Sequence, residues 1–162
     1  MTGFVSVPPN VDADPPEPAA PDVVSGDGFW PDIDLGDLRA AIRLDTTIPR
    51  ERLIDAVRVA MLDLARELAD WRATNAGAAA NLQAVPARIL IGGVSDYVIY
   101  YGRALYSLVG ADLGERLLEQ SVTSAGVDRR EALTAEVDQH RRNARWAIND
   151  FAGKRRVTVD LI

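Results

Sequence analysis

Apolar residues recur at helical spacing in three long stretches of the chain. The clearest runs from Pro49 to about Thr74, and its apolar side consists of Leu53, Val57, Ala60, Met61, Leu64, Leu68 and Trp71. Residues three or four positions apart share one face of a helix, so this pattern predicts a helix with a buried side and a solvated side. The same spacing predicts a helix from about Asp96 to Glu119 and a last one from about Asp128 to Phe151. Gly153 is expected to end that last helix, because glycine takes a positive φ without steric cost.

The helix predicted from Asp96 is apolar on more than one face. One side carries Tyr97, Tyr101, Ala104, Leu105, Leu108 and Ala111, whereas Val98 and Val109 lie off that stripe. Such a helix is central in its bundle or contacts a neighbouring subunit. This helix contains three glycines, Gly102, Gly110 and Gly114. Each costs about 1 kcal/mol of helix stability relative to alanine, and we expect these small residues to permit close approach of another helix.

A short helix is predicted before the first long one. Asp32 or Asp34 can cap it, with Asp37 three residues after Asp34. Phe29 and Trp30 precede it, and these two large aromatic residues are expected to anchor the N-terminal arm to the folded body.

Two short segments have other patterns. Residues 88–94 are apolar and contain a glycine pair, so they are interpreted as a short buried strand or an extended connector, between which periodicity does not decide. After the last helix, Val157, Val159 and Leu161 alternate with Thr158, Asp160 and Ile162, which predicts a strand of about six residues. A single strand at the end of the sequence has an unpaired edge that can join another chain.

Residues 1–28 differ from the rest in composition. They hold six of the nine prolines and five acidic residues, but no lysine or arginine. This composition predicts a disordered, proline-rich acidic arm. The domain prediction is therefore an arm at 1–28 and one folded domain at 29–162. The fold class predicted is all-α, a small bundle of three long helices and one short helix with a C-terminal β-strand.

Composition excludes several classes of function. The chain has no cysteine, which excludes disulfides, thiolate zinc sites and cysteine nucleophiles. It has no apolar run of about 18–20 residues and no signal-peptide pattern, so a soluble protein made in the cytoplasm is expected, with no membrane partner. The net charge of −6 comes largely from the arm, which leaves a nearly neutral body.

A basic segment lies near the end of the nearly neutral body. It contains Arg141, Arg145, Lys154, Arg155 and Arg156. A solvated helix face and a helix C-terminus explain these cations. Contact with DNA phosphates or with an acidic protein partner explains them equally, and the sequence leaves these alternatives open.

The search for catalytic groups finds little. His140 is the single histidine; Glu136 lies four residues before it, but the Glu-x-x-His spacing of helical di-metal sites is absent. No nucleophile elbow, phosphate loop or dinucleotide fingerprint occurs. His140 is therefore interpreted as a partly buried structural residue. No enzyme activity, metal or cofactor is predicted.

Three blocks of sequence together resemble a known family. They are FWPDIDLGDLRAAIRL at 29–44, YYGRALYSLVGADLGER at 100–116, and RNARWAINDFAG at 142–153 running into RVTVDLI at 156–162. In this order they resemble the head completion proteins of temperate contractile-tailed bacteriophages. The resemblance implies a structural virion protein that closes the DNA-filled head as a ring beneath the portal and offers a surface for tail attachment.

The resemblance also implies partners. These are the portal protein, further copies of the chain in a ring that is expected to be dodecameric, the next neck or tail-completion protein, and packaged DNA. The protein is then expected in the virion neck, and in the host cytoplasm during assembly. The expected portal or subunit contacts are Val157, Val159, Leu161, Tyr97 and Tyr101. The alternative function is a small helical DNA-binding or regulatory module that uses the Arg-rich final helix.

Overall fold

The computed structural model describes residues 22–42, 48–120 and 127–155. Its helices are α1 (Leu35–Ala41), α2 (Arg50–Glu67), α3 (Ala69–Asn75), α4 (Asp96–Gln120) and α5 (Val127–Phe151). A 3₁₀ turn occupies Leu82–Ala84. Two antiparallel strand pairs complete this part: β1 (Val23–Val24) with β2 (Ile33–Asp34), and β3 (Leu90–Ile91) with β4 (Val94–Ser95). The predicted mostly helical fold is confirmed, and the strand predicted at 157–162 lies outside the described residues.

Local sequence signals set several helix ends. The Asp34 carboxylate accepts hydrogen bonds from the backbone amides of Gly36 and Asp37 at 2.7 and 3.0 Å, which confirms the predicted cap of α1. Gly153 adopts φ 68° after α5, as predicted. The helix predicted from Pro49 to Thr74 is divided at Leu68, which has φ −97° and ψ 8°. Hydrogen bonding continues across that division, because the Leu68 amide still donates to the Leu64 carbonyl.

Helices α4 and α5 pack closely against each other at two glycines. A Cβ atom at Gly114 would lie 2.6 Å from Cγ2 of Val137, and one at Gly110 would lie 2.8 Å from the imidazole of His140. The prediction that small residues permit close helix approach is therefore confirmed at these two positions. It is wrong for Gly102, where an added Cβ would meet nothing within 4 Å.

An aromatic cluster joins the start of the described chain to α3, α4 and α5. It consists of Phe29, Trp30, Trp71, Tyr97, Tyr101 and Phe151. The rings of Trp30 and Tyr101 are stacked, with centroids 5.0 Å apart and an interplanar angle of 5°. Phe151 contacts Trp71 edge-on at 4.5 Å. Such pairs contribute about 0.5–1.5 kcal/mol beyond the burial of their area, so this cluster is a principal link between the elements.

The folded part begins before the boundary predicted from composition. The strand Val23–Val24 pairs with Ile33–Asp34, and the Asp22 carbonyl accepts from the Leu35 amide at 2.8 Å. Asp22 also forms an ion pair with Arg50. Residues 22–28 are thus part of the folded body, because their backbone and side chains are hydrogen-bonded to it. This corrects the arm boundary at 28, and residues 1–21 lie outside the described residues.

We expect Gly114→Ala to lower the free energy of unfolding by about 1–2 kcal/mol. The added methyl group meets the stiff side chain of Val137, and overpacking of this kind outweighs the gain in helix propensity. The matched control is Gly102→Ala in the same helix, which we expect to raise the free energy of unfolding by about 0.5–1 kcal/mol. Urea unfolding measures both. Equal stabilisation by the two variants would contradict the close packing of α4 on α5.

Candidate functional site: an exposed apolar hairpin

The segment 88–94 forms a hairpin rather than a buried strand or a connector. Leu90 pairs with Ser95 and Ile91 with Val94. The two residues between the strands, Gly92 and Gly93, have φ 58° and 80°. Two successive residues of positive φ are typical of the type I′ turn, whose twist matches that of a hairpin, and glycine adopts it without strain.

Three aliphatic side chains share one face of this hairpin. Side chains alternate along a strand and directly opposite residues lie on the same face, so Ile89, Ile91 and Val94 form one face while Leu90 and Ser95 form the other. The three residues are 60%, 64% and 43% exposed. We call them the apolar hairpin face. Contiguous exposed aliphatic side chains of this kind are typical of interaction surfaces.

Arg88 fastens the base of the hairpin to both long helices. Its Nε donates to Oδ2 of Asp96 at 2.7 Å, and its Nη2 donates to the backbone carbonyl of Asp150 at 3.0 Å. Its guanidinium also lies over the ring of Tyr97, 4.6 Å from the centroid. The hairpin is therefore tied to the start of α4 and to the end of α5.

The carboxylate of Asp96 is the buried half of this ion pair. Burial alone would raise the pKa of Asp96, but the hydrogen bond and charge of Arg88 and the backbone amides of Ile89 and Arg88 outweigh it. The pKa of Asp96 is therefore lowered from its usual value. The carboxylate stays ionised at neutral pH and keeps accepting from Arg88.

The comparisons with known proteins identify the family. The profile described as "Phage head completion protein (GPL)" matches residues 24–162. The chain belongs to this family. It is also similar to the head completion/stabilization protein of Escherichia phage P2, with 32% identity over 149 residues that cover 91% of this chain and 88% of the relative. No solved structure matches the chain. The resemblance predicted from the three sequence blocks is thus confirmed.

Two of the predicted contact residues of this head completion protein are buried. Tyr97 and Tyr101 are 8% and 1% exposed and lie in the aromatic cluster. Their side chains hold the fold together and offer no surface to a portal or a neighbouring subunit, so that prediction is corrected. The sequence pattern places apolar residues on more than one face of α4, which is compatible with a neighbouring subunit. In the structure these faces contact other elements of the same chain. The other three predicted contacts, Val157, Val159 and Leu161, lie outside the described residues.

The predicted anchor residues are also buried. Phe29 and Trp30 are each 4% exposed, and the carboxylate of Asp27 accepts from both of their backbone amides. Asp27 also accepts from Arg72 at 2.6 Å. Their role as the anchor of residues 1–21 stays a prediction, because those residues lie outside the described part of the chain.

The predicted basic residues do not form one compact patch. Arg141, Arg145, Lys154 and Arg155 are exposed, and Arg156 lies outside the described residues. Arg141 forms ion pairs with Glu115 at 2.5 Å and with Asp138 at 3.9 Å. Because a helix rises about 1.5 Å per residue, Arg141 lies about 15 Å from the end of α5.

His140 packs against Gly110 and lines a groove of about 460 Å³ between α1, α4 and α5. In the ranges that the structure describes, no three His, Cys, Asp or Glu side chains are grouped so that they could hold a metal ion. Nor is any helix in these ranges long and apolar enough to cross a membrane.

We expect Asp96→Asn to lower the free energy of unfolding by about 1–2 kcal/mol at pH 7, because the charged partner of Arg88 is lost. A carboxyl group whose pKa is lower in the folded state than in the unfolded state stabilises the folded protein at pH values above its unfolded-state pKa of about 3.9. This stabilisation is lost as the pH falls through the folded-state pKa. The difference between the variant and the parent should therefore shrink in acid.

Urea unfolding at pH 7 and at pH 3 tests this expectation. The control is Asp63→Asn, since Asp63 pairs with Arg66 on the exposed face of α2 and should change the free energy of unfolding by less than about 0.5 kcal/mol. A loss for Asp96→Asn that is equal at the two pH values would contradict the ion pair with Arg88.

Proposed function

We propose that this head completion protein closes the DNA-filled phage head by forming a ring beneath the portal. In that position it retains the packaged DNA and provides the surface to which the tail attaches. It is then a structural component of the virion neck, assembled in the host cytoplasm. The observation that carries the proposal is the apolar hairpin face, which is exposed and fixed to the body by Arg88.

The chemistry of this face fits a protein partner. Full burial of a large aliphatic side chain contributes about 1.5–3 kcal/mol, so the three side chains of the face can contribute several kcal/mol per subunit. The face is also held rigid before binding, because its base is tied to α4 and α5. Rigid surfaces lose little conformational entropy on association. A small contact repeated on every subunit of a ring then gives a stable junction.

A second exposed apolar pair lies on α2. Val59 and Leu62 are 43% and 68% exposed and are three residues apart, so they share one side of the helix. A closed ring of identical subunits needs two different surfaces on each subunit, one for each neighbour. The hairpin face and this α2 pair are two different exposed apolar surfaces of one subunit, which supports contact with a copy of the chain on either side.

The partners in the proposal are the portal protein, eleven further copies of the chain in a dodecameric ring, and the next neck protein. Packaged DNA or an acidic partner is the proposed contact of the exposed Lys154 and Arg155. The alternative, a DNA-binding regulatory module, loses support at Arg141, since Glu115 and Asp138 already neutralise its charge.

We expect Ile91→Asp to block head completion while leaving the protein folded. A carboxylate in the centre of the apolar hairpin face cannot be buried against a partner without a large desolvation cost, whereas position 91 is solvent-exposed in the free chain. Complementation of a phage that lacks this gene should give DNA-filled heads without tails and a plaque titre reduced by about tenfold or more, because the tail-binding surface is lost on every subunit.

Ile91→Leu is the matched control, because it keeps an aliphatic side chain at the same position and should retain a normal titre. Thermal unfolding of both purified variants should match that of the parent. Tailed, infectious particles at normal yield from Ile91→Asp would overturn the role of the hairpin face.

A further inference from the structure

Two exposed apolar surfaces lie on different elements of one subunit. The apolar hairpin face is carried by β3 and β4, whereas Val59 and Leu62 lie on α2, outside the set of residues that this helix buries in the core. Each of the five side chains keeps at least 43% of its area exposed. Both surfaces are therefore accessible to another protein molecule.

The two surfaces match in the spacing of their side chains. Ile91 and Val94 are directly opposite each other in the hairpin, and the Cβ atoms of such residues are about 4.5–5.5 Å apart. Val59 and Leu62 are three residues apart on a helix, where Cβ atoms are about 5–6 Å apart. Two aliphatic side chains of one surface can therefore pack beside two of the other.

The charges near the α2 pair are compatible with its burial. Asp55 and Asp63 lie four residues before and after Val59, and both form ion pairs with arginines of the same chain. Arg58 directly precedes Val59, and its long side chain can keep the guanidinium in water at the edge of a contact. The hairpin segment 89–95 contains no charged residue. Contact between the two surfaces would thus have an aliphatic centre and a polar rim, as protein interfaces do.

We propose that the apolar hairpin face of one subunit docks on the α2 pair of the next copy in the ring. This contact joins two different surfaces, so it repeats from subunit to subunit and can close into a ring, whereas a contact of hairpin with hairpin would end at a dimer. The inference rests on the proposed function, because it names a second copy of this chain as the partner that covers the hairpin face in the neck.

The size of the contact determines where it can be tested. Five aliphatic side chains bury much less than the roughly 1,000 Å² of total area that a stable interface needs. We therefore expect the contact to form when the subunits are held side by side in the neck, where the effective concentration of each neighbour is high. The test accordingly uses assembled particles rather than the free chain.

Cysteine cross-linking tests the contact, since the chain has no cysteine of its own. A phage that lacks this gene is complemented with Ile91→Cys/Leu62→Cys, which keeps small apolar side chains at both positions. Its particles are treated with a short bismaleimide, because a disulfide demands a narrower range of distances. We expect a ladder of covalent multimers of this chain on a denaturing gel.

The controls carry the same cysteine on the hairpin. Ile91→Cys alone and Leu62→Cys alone should give no ladder, because each lacks the second cysteine of the contact. The matched control is Ile91→Cys/Leu117→Cys, whose second cysteine replaces another exposed leucine, on α4. It should also give no ladder.

A double variant Ile91→Cys/Leu62→Cys that gives no ladder would overturn the inference. Dimers from Ile91→Cys alone would also overturn it, because the hairpin would then meet a second hairpin. The phage test of Ile91→Asp separates this result from failure of the proposed function. Heads without tails from Ile91→Asp, together with no ladder, would mean that another neck protein covers the face, whereas normal particles from Ile91→Asp would remove its docking role altogether.

Discussion

The guanidinium group of Arg88 joins three parts of the chain, namely the hairpin, the start of α4 and the end of α5. It donates to the carboxylate of Asp96 at the start of α4 and to the carbonyl of Asp150 at the end of α5, and it lies over the ring of Tyr97. The Arg88 amide donates to the same carboxylate at 3.2 Å, so main chain and side chain are both held. The orientation of the hairpin relative to the two long helices follows from these contacts.

The two long helices give this arrangement a rigid base. Their close approach at Gly110 and Gly114 fixes α5 on α4, and the aromatic cluster ties the start of the described chain to both. The indole N–H of Trp30 and the hydroxyl of Tyr101 are buried without a hydrogen-bond partner among the described residues. Burial raises the pKa of Tyr101, so its hydroxyl stays neutral.

Periodicity predicted the parts of the fold that depend on local sequence. The helices, the Asp34 cap and the Gly153 terminus follow from residue spacing and from the backbone preferences of Asp and Gly. The hairpin also had a local signal, since Gly92–Gly93 between apolar residues is typical of a two-residue type I′ turn. The role of Arg88 had no local sequence signal. Its partners Asp96 and Asp150 lie 8 and 62 residues away, and only the tertiary fold brings all three together. The burial of Tyr97 and Tyr101 within the chain has no local signal either, because a helix that is apolar on several faces does not reveal which of its neighbours belong to the same chain.

The central claim is that the apolar hairpin face, held by Arg88, is the surface through which this head completion protein joins the neck. Cryo-electron microscopy of the neck in purified phage particles tests it most directly. The account predicts one copy of the chain for each portal subunit, with Ile91 buried against the portal or an adjacent neck subunit. A neck in which Ile91 stays as exposed as the 64% of the free chain, or particles that lack the chain, would contradict the account.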